Sequence, residues 1–145
     1  MFLKPKLILL YSFFLFSFEK LSYEIIIMSI HDNKSITTSK KYKFRISEAN
    51  GNWQDSLGNY GKSRILFYLE TNNNKQTYIK GLGQLIDQNN KNIWFIPIRK
   101  SDEDAGVGKI EVIESSKLYN FLIQSSCTYA INYFENRSFF KVKCK

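Results

Sequence analysis

From Cys127 to Lys145 the chain is written in period two. Cys127, Tyr129, Ile131 and Tyr133 alternate with Thr128, Ala130 and Asn132, and after Glu135-Asn136-Arg137 a second run sets Phe140, Val142 and Cys144 against Phe139, Lys141, Lys143 and Lys145. Alternation sends successive side chains to opposite faces of a strand, so the two runs predict a hairpin with one apolar face. A slip of one residue would oppose apolar to polar positions, which restricts the register. A two-residue loop at Glu135-Asn136 pairs Tyr133 with Ser138, Ile131 with Phe140, Tyr129 with Val142 and Cys127 with Cys144. Directly opposed Cβ atoms lie about 4.5–5.5 Å apart, within small adjustment of a disulfide. A loop at Asn136-Arg137 instead sets Tyr129 against Cys144. The first register is favoured, with two unrelated buried thiols as the alternative in a reducing cytosol, where disulfides are rare.

Upstream, the same patterns predict further strands. Lys41–Ser47 alternates, with Tyr42, Phe44 and Ile46 expected on the core face and Lys41, Lys43 and Arg45 on the other. Residues 48–63 are rich in Gly, Asn and Ser and read as a long loop. Strands are expected at 64–71, 76–87 and 92–98, separated by turns at 72–75 and 88–91. A bulge or bend is expected at Gly81-Leu82-Gly83, and Pro97 places its strand at an edge or near its end. After a polar segment at 99–108, a short strand spans 109–113. Ser115 or Ser116 can cap a helix through Gln124 with Leu118, Phe121 and Leu122 on one face. The sum is α+β: a largely antiparallel curled sheet of six or seven strands, compatible with an OB-like barrel, with one short helix before the C-terminal hairpin.

Residues 1–27 read as a separate apolar leader. Lys4 and Lys6 precede an apolar run from Leu7 to Phe18, the layout of a secretory signal, although no small-x-small cleavage pattern follows. Extending the run to Ile30 to span a bilayer would bury Glu19, Lys20 and Glu24. A translation start at Met28 is the other reading. In either case residues 28–40 read as a polar connector and 41–145 as the single globular domain. The compartment follows the N-terminus: cytoplasmic for a start at Met28, secreted or membrane-anchored if the leader is real.

The residues available for chemistry exclude several classes. Two cysteines and one histidine, His31, cannot build a zinc finger, a Cys/His metal cluster or a Ser/His or Cys/His catalytic centre. Gly58-Asn-Tyr-Gly61-Lys62-Ser63 ends like a phosphate-binding loop, but Ser56 stands where its first glycine belongs and no helix follows. Asp102, Glu103 and Asp104 lack calcium-loop spacing and read as a solvated acidic turn. Asn33-Lys-Ser35 and Asn136-Arg-Ser138 are glycosylation sequons that matter only if the chain is exported. No catalytic residue, cofactor or metal site, or small-molecule ligand is assigned.

Charge carries the leading functional expectation. The chain holds 21 basic and 13 acidic residues, net +8, though much of the excess is lysine of the kind that A/T-rich coding inflates. Basic and aromatic residues share segments, as in binders of single strands that combine a positive groove with stacking rings. The expectation is a non-enzymatic, non-sequence-specific nucleic-acid-binding module. Lys41, Lys43, Arg45, Lys62 and Arg64 would contact phosphates, and Trp53 or Tyr60 would stack on bases. The alternative is an exported or membrane-attached module stabilised by a Cys127–Cys144 disulfide, engaging a partner protein or an anionic membrane surface.

Overall fold

The computed structural model describes residues 22–99 and 105–145. They form eight antiparallel strands that follow one another around a closed barrel: β1 (Tyr23–Thr37), β2 (Tyr42–Asp55), β3 (Tyr60–Asn72), β4 (Lys75–Asp87), β5 (Asn92–Ile98), β6 (Ala105–Ser115), β7 (Cys127–Phe134) and β8 (Arg137–Cys144). This overturns the α+β expectation. The helix expected up to Gln124 is a 3₁₀ turn of six residues, Lys117–Leu122, and the sheet closes on itself as β1 pairs with β8. The periodicity explains the shorter helix: Tyr119 and Leu122, three apart, are buried, whereas Leu118 and Phe121 are exposed.

Closure depends on residues read as leader and connector. β1 runs through 23–37, with Tyr23, Ile25 and Ile27 buried and paired on one side with β2 and on the other with β8. The barrel therefore starts at Tyr23 rather than Lys41. The long loop expected at 48–63 is likewise mostly ladder, because β2 continues to Asp55 and β3 begins at Tyr60. Asn50, Asn52, Gln54, Lys62 and, at the start of β3, Tyr60 occupy outward positions, while Ala49, Trp53 and Ser63 point inward.

Glycines mark where rings fill the lumen. Gly83 lies opposite Phe95 across β4 and β5, and a Cβ there would enter the Phe95 ring. Gly108 stands in the same relation to Tyr129. The bend expected at Gly81-Leu82-Gly83 is absent: β4 pairs there without interruption, and its irregularity against β3 lies at Glu70/Thr71. Pro97 sits one residue before the end of β5, in a sheet that has no edge strand.

The two ends of the barrel differ. At the floor, Tyr119 and Leu122 of the 3₁₀ turn insert below the core, with Tyr119 edge-on to Trp53. The floor turns repeat one device. Asp55 accepts hydrogen bonds from the backbone N–H of Leu57 and Asn59, and Asp87 from those of Asn89 and Lys91, all at 2.8 Å. Each carboxylate also accepts from a tyrosine, Tyr23 to Asp55 at 2.6 Å and Tyr119 to Asp87 at 2.8 Å. The opposite end, the mouth, carries the β1–β2, β3–β4 and β7–β8 turns.

Candidate functional site

Inward positions change from apolar to polar on approach to the mouth. Ile25 and Ile27 of β1 give way to Ser29 and His31, all buried. The His31 ring is hydrogen-bonded to Ser47 Oγ through Nδ1 at 3.2 Å and to Ser138 Oγ through Nε2 at 2.7 Å. Burial, and secondarily the Arg45 charge, lower its pKa from 6.5 to about 4, so the ring is neutral at physiological pH. Buried Arg99 donates through Nη2 to Gln76 Oε1 at 2.9 Å, and the Gln76 amide returns a bond to the Arg99 carbonyl at 3.3 Å. Burial raises the Tyr129 phenol, against the opposing charge of Arg99.

These groups surround no ligand chamber. The cavity they line with Phe67, Ile131 and Phe140 measures about 30 Å³ and is walled almost wholly by carbon. A water occupies about that volume in the liquid, so the space is far below what an organic molecule needs. Eight strands give an interior that side chains can fill, and here they do.

The seven residues named for nucleic-acid contact fall at separate places. Trp53 is 3% exposed, points inward and donates its indole N–H to the Ile86 carbonyl at 3.1 Å, so it has no free face for a base. Lys43 and Arg45 share the inward parity of Ser47 and Ala49, which places them on the lumen side near the mouth. The expected face assignment is thus inverted, since Ile46 is 54% exposed on the outer wall and Phe44 stacks there on Tyr68. Lys41 lies in the β1–β2 turn at φ 61°. Tyr60, Lys62 and Arg64 do share the outer face of β3. Lys62 and Arg64 line a groove of about 380 Å³ with Asn50, Asn52 and Gln84, where Arg64 Nε is 2.7 Å from Glu48. Tyr60 lies at the floor end and is 62% exposed.

Cys127 and Cys144 oppose each other across β7 and β8 and are joined by a disulfide, with Cα atoms 4.1 Å apart. The bond lies at the floor end, one strand from Tyr23, which pairs with Cys144. Further along the outer wall, towards the mouth, Met28, Ile30, Phe134 and Phe139 line a groove of about 420 Å³ beside Arg137. The buried polar layer is hidden in the sequence because His31 falls in the polar stretch 28–40 that reads as a connector. The signal was present: the period-two series Tyr23, Ile25, Ile27, Ser29, His31 continues inward without a break.

Among the described residues no group of three or more His, Cys, Asp or Glu side chains could hold a metal, and no helix is long and apolar enough to cross a membrane. The acidic turn expected at Asp102-Glu103-Asp104 lies outside the described residues. No protein-family model matches the chain, and neither does any curated protein or solved structure.

Proposed function

We propose that this protein is an exported or membrane-attached interaction module, a barrel whose working surfaces are on its outside. The observation that carries this reading is the Cys127–Cys144 disulfide, because such bonds persist in oxidising compartments and are rare in the cytosol. Three features support it. The apolar run Leu7–Phe18, preceded by Lys4 and Lys6, ends just ahead of the first strand, so processing near Ser22 would leave the barrel whole. A start at Met28 would instead remove Tyr23, Ile25 and Ile27 from the core. Both sequon asparagines, Asn33 and Asn136, are exposed. The outer groove bordered by Met28, Ile30, Phe134 and Phe139 offers the apolar surface that a protein partner would cover.

The test is intact-mass analysis of the full chain expressed in cells with a glycosylating secretory pathway. The reading expects protein in the medium or membrane fraction, with a mass two hydrogens below that of the reduced chain. Cytosolic protein beginning at Met28 with two titratable thiols would overturn it.

The shared outer face of Tyr60, Lys62 and Arg64 favours one second reading, electrostatic binding of single-stranded nucleic acid across the β2–β4 wall. Binding of a labelled oligonucleotide should then weaken steeply with salt and drop in a Lys62→Gln/Arg64→Gln variant. Absence of binding at about 50 mM salt removes this second reading.

A further inference from the structure

We infer that the floor of the barrel is a docking surface for an anionic lipid bilayer, an inference that rests on the exported or membrane-attached reading. Five large apolar side chains are exposed there: Leu57 at 66%, Tyr60 at 62%, Leu118 at 57%, Phe121 at 48% and Ile123 at 45%. They come from segments distant in sequence, the β2–β3 turn with the start of β3, and the 3₁₀ turn with its exit. Contacts around Tyr23 join the two: its ring meets Phe121 edge-on at 5.2 Å, and Ser56 exchanges hydrogen bonds with Glu24. Isolated surface hydrophobics are ordinary, but five gathered at one end of a closed barrel form a patch.

Two observations select a bilayer as the occupant. The first is where the chain leaves the barrel. Ser22 stands at the floor, and only Glu19, Lys20 and Leu21 separate it from the apolar run Leu7–Phe18. Four Cα steps reach at most about 14 Å, so a membrane holding that run must face this end of the barrel. The second is charge. Lys91, Lys117 and Lys145 are exposed around the apolar patch against one exposed floor carboxylate of the strands, Glu114 at the end of β6, whereas Asp55 and Asp87 are turned into their own turns and Glu24 is engaged by Lys141 and Lys143. Aromatic and aliphatic groups rimmed by lysine suit the headgroup boundary, where apolar tips enter and ammonium groups meet phosphates. Asn33 and the Asn136 turn lie toward the mouth, so glycans there would stay clear of the membrane.

Lysine reactivity tests this without confusing docking with tethering. The full chain is reconstituted on vesicles of phosphatidylcholine with phosphatidylglycerol, on phosphatidylcholine alone, and in detergent, then labelled with a water-soluble amine reagent and mapped by mass spectrometry. On the anionic vesicles Lys91, Lys117 and Lys145 should label at least about fivefold more slowly than in detergent, while Lys34 and Lys40 at the mouth should not change. Phosphatidylcholine alone should give weaker protection, and Leu57→Ser/Phe121→Ser should abolish the protection on anionic vesicles; a cooperative urea transition at the native midpoint shows that this variant is folded. If floor and mouth lysines label alike on anionic vesicles, the floor does not dock and the inference fails, even for a chain that secretion and thiol titration have shown to be exported. If the chain proves cytosolic with free thiols, the broader reading fails instead.

Discussion

A chain that begins at Met28 should not form this barrel, and the size of the defect can be worked out from three side chains. Tyr23, Ile25 and Ile27 are 8%, 5% and 1% exposed. Burial of one such side chain contributes about 1.5–3 kcal/mol, so the three together contribute about 5–9 kcal/mol. That is as large as the net stability of domains in the lower half of the usual range, about 5–15 kcal/mol. Backbone pairing is lost as well. Ile25 and Ile27 face Asp55 and Trp53 on β2, and Tyr23 through Ile27 face Cys144 through Phe140 on β8, so the deletion unzips the lower half of the seam on both sides. It also removes the phenol that bonds Asp55. The assay is urea denaturation, followed by near-ultraviolet circular dichroism, of chains beginning at residues 1, 22 and 28. The first two should unfold cooperatively at similar midpoints, and the third should show no native baseline. A Met28 chain with an unchanged midpoint and slope would mean that β1 is not a core strand, and the barrel described here would be wrong.

Other consequences are nearer to single residues. His31, with a folded pKa of about 4 against 6.5 unfolded, binds fewer protons in the native state. Stability is therefore undiminished by this group above about pH 6.5 and falls as pH drops from there towards 4. A shift of this size is worth on the order of 2 kcal/mol after discounting for solvent screening, visible as a pH slope present in the native protein and missing in His31→Gln. Reducing the Cys127–Cys144 bond, which closes a loop with a sequence separation of 17, should lower stability by about 3 kcal/mol, and equal urea midpoints with and without reductant would contradict this. Tyr119→Phe removes the phenol donor to Asp87 and should destabilise by about 1.5–3 kcal/mol, with most of that loss absent when Asp87→Asn is already in place. Gly83→Ala forces its new methyl into the Phe95 ring and should cost about 1–3 kcal/mol, recovered in part by Phe95→Leu.

How much was legible depended on whether the two faces of a strand differ in polarity. The C-terminal hairpin could be read to the residue because Thr128, Lys141 and Lys143 face water opposite an apolar face, and the observed pairs run from Tyr133↔Ser138 to Cys127↔Cys144. β1 could not, because Ile26, Met28 and Ile30 make its outer face as apolar as its inner one, so residues 23–30 blend with the apolar run before them. β2 misled for the opposite reason. Its upper half lies beside the polar mouth, so Lys43 and Arg45 take the lumen side while Phe44 and Ile46 pack on the outer wall with Tyr68. Closure itself joins residues 23–30 to 137–144, a pairing that no local pattern encodes. The candidate nucleic-acid residues scattered because segment composition carries no parity: Trp53 and Lys62 are near neighbours along the ladder yet point to opposite sides of the wall.

A filled interior also decides where this barrel can act. The side chains of Phe67, Phe95 and Tyr129 lie against Gly81, Gly83 and Gly108, and the 3₁₀ turn plugs the floor with Tyr119 and Leu122, so that the cavities among the core side chains measure only about 30 and 10 Å³. The surfaces open to other molecules are therefore the outer wall and the two ends. Tyr23, the disulfide and both aspartate-locked turns meet at the floor, where the described chain begins at Ser22. The disulfide ties β8 to β7 at the position where β1 closes onto β8. The same bond thus steadies the seam and the exposed ring of Leu57, Leu118 and Phe121 beside it. Reduction should loosen that ring before it disturbs the polar layer around His31 at the far end, an order that amide exchange of Ser56–Asn59 against Ser29–His31 can read directly.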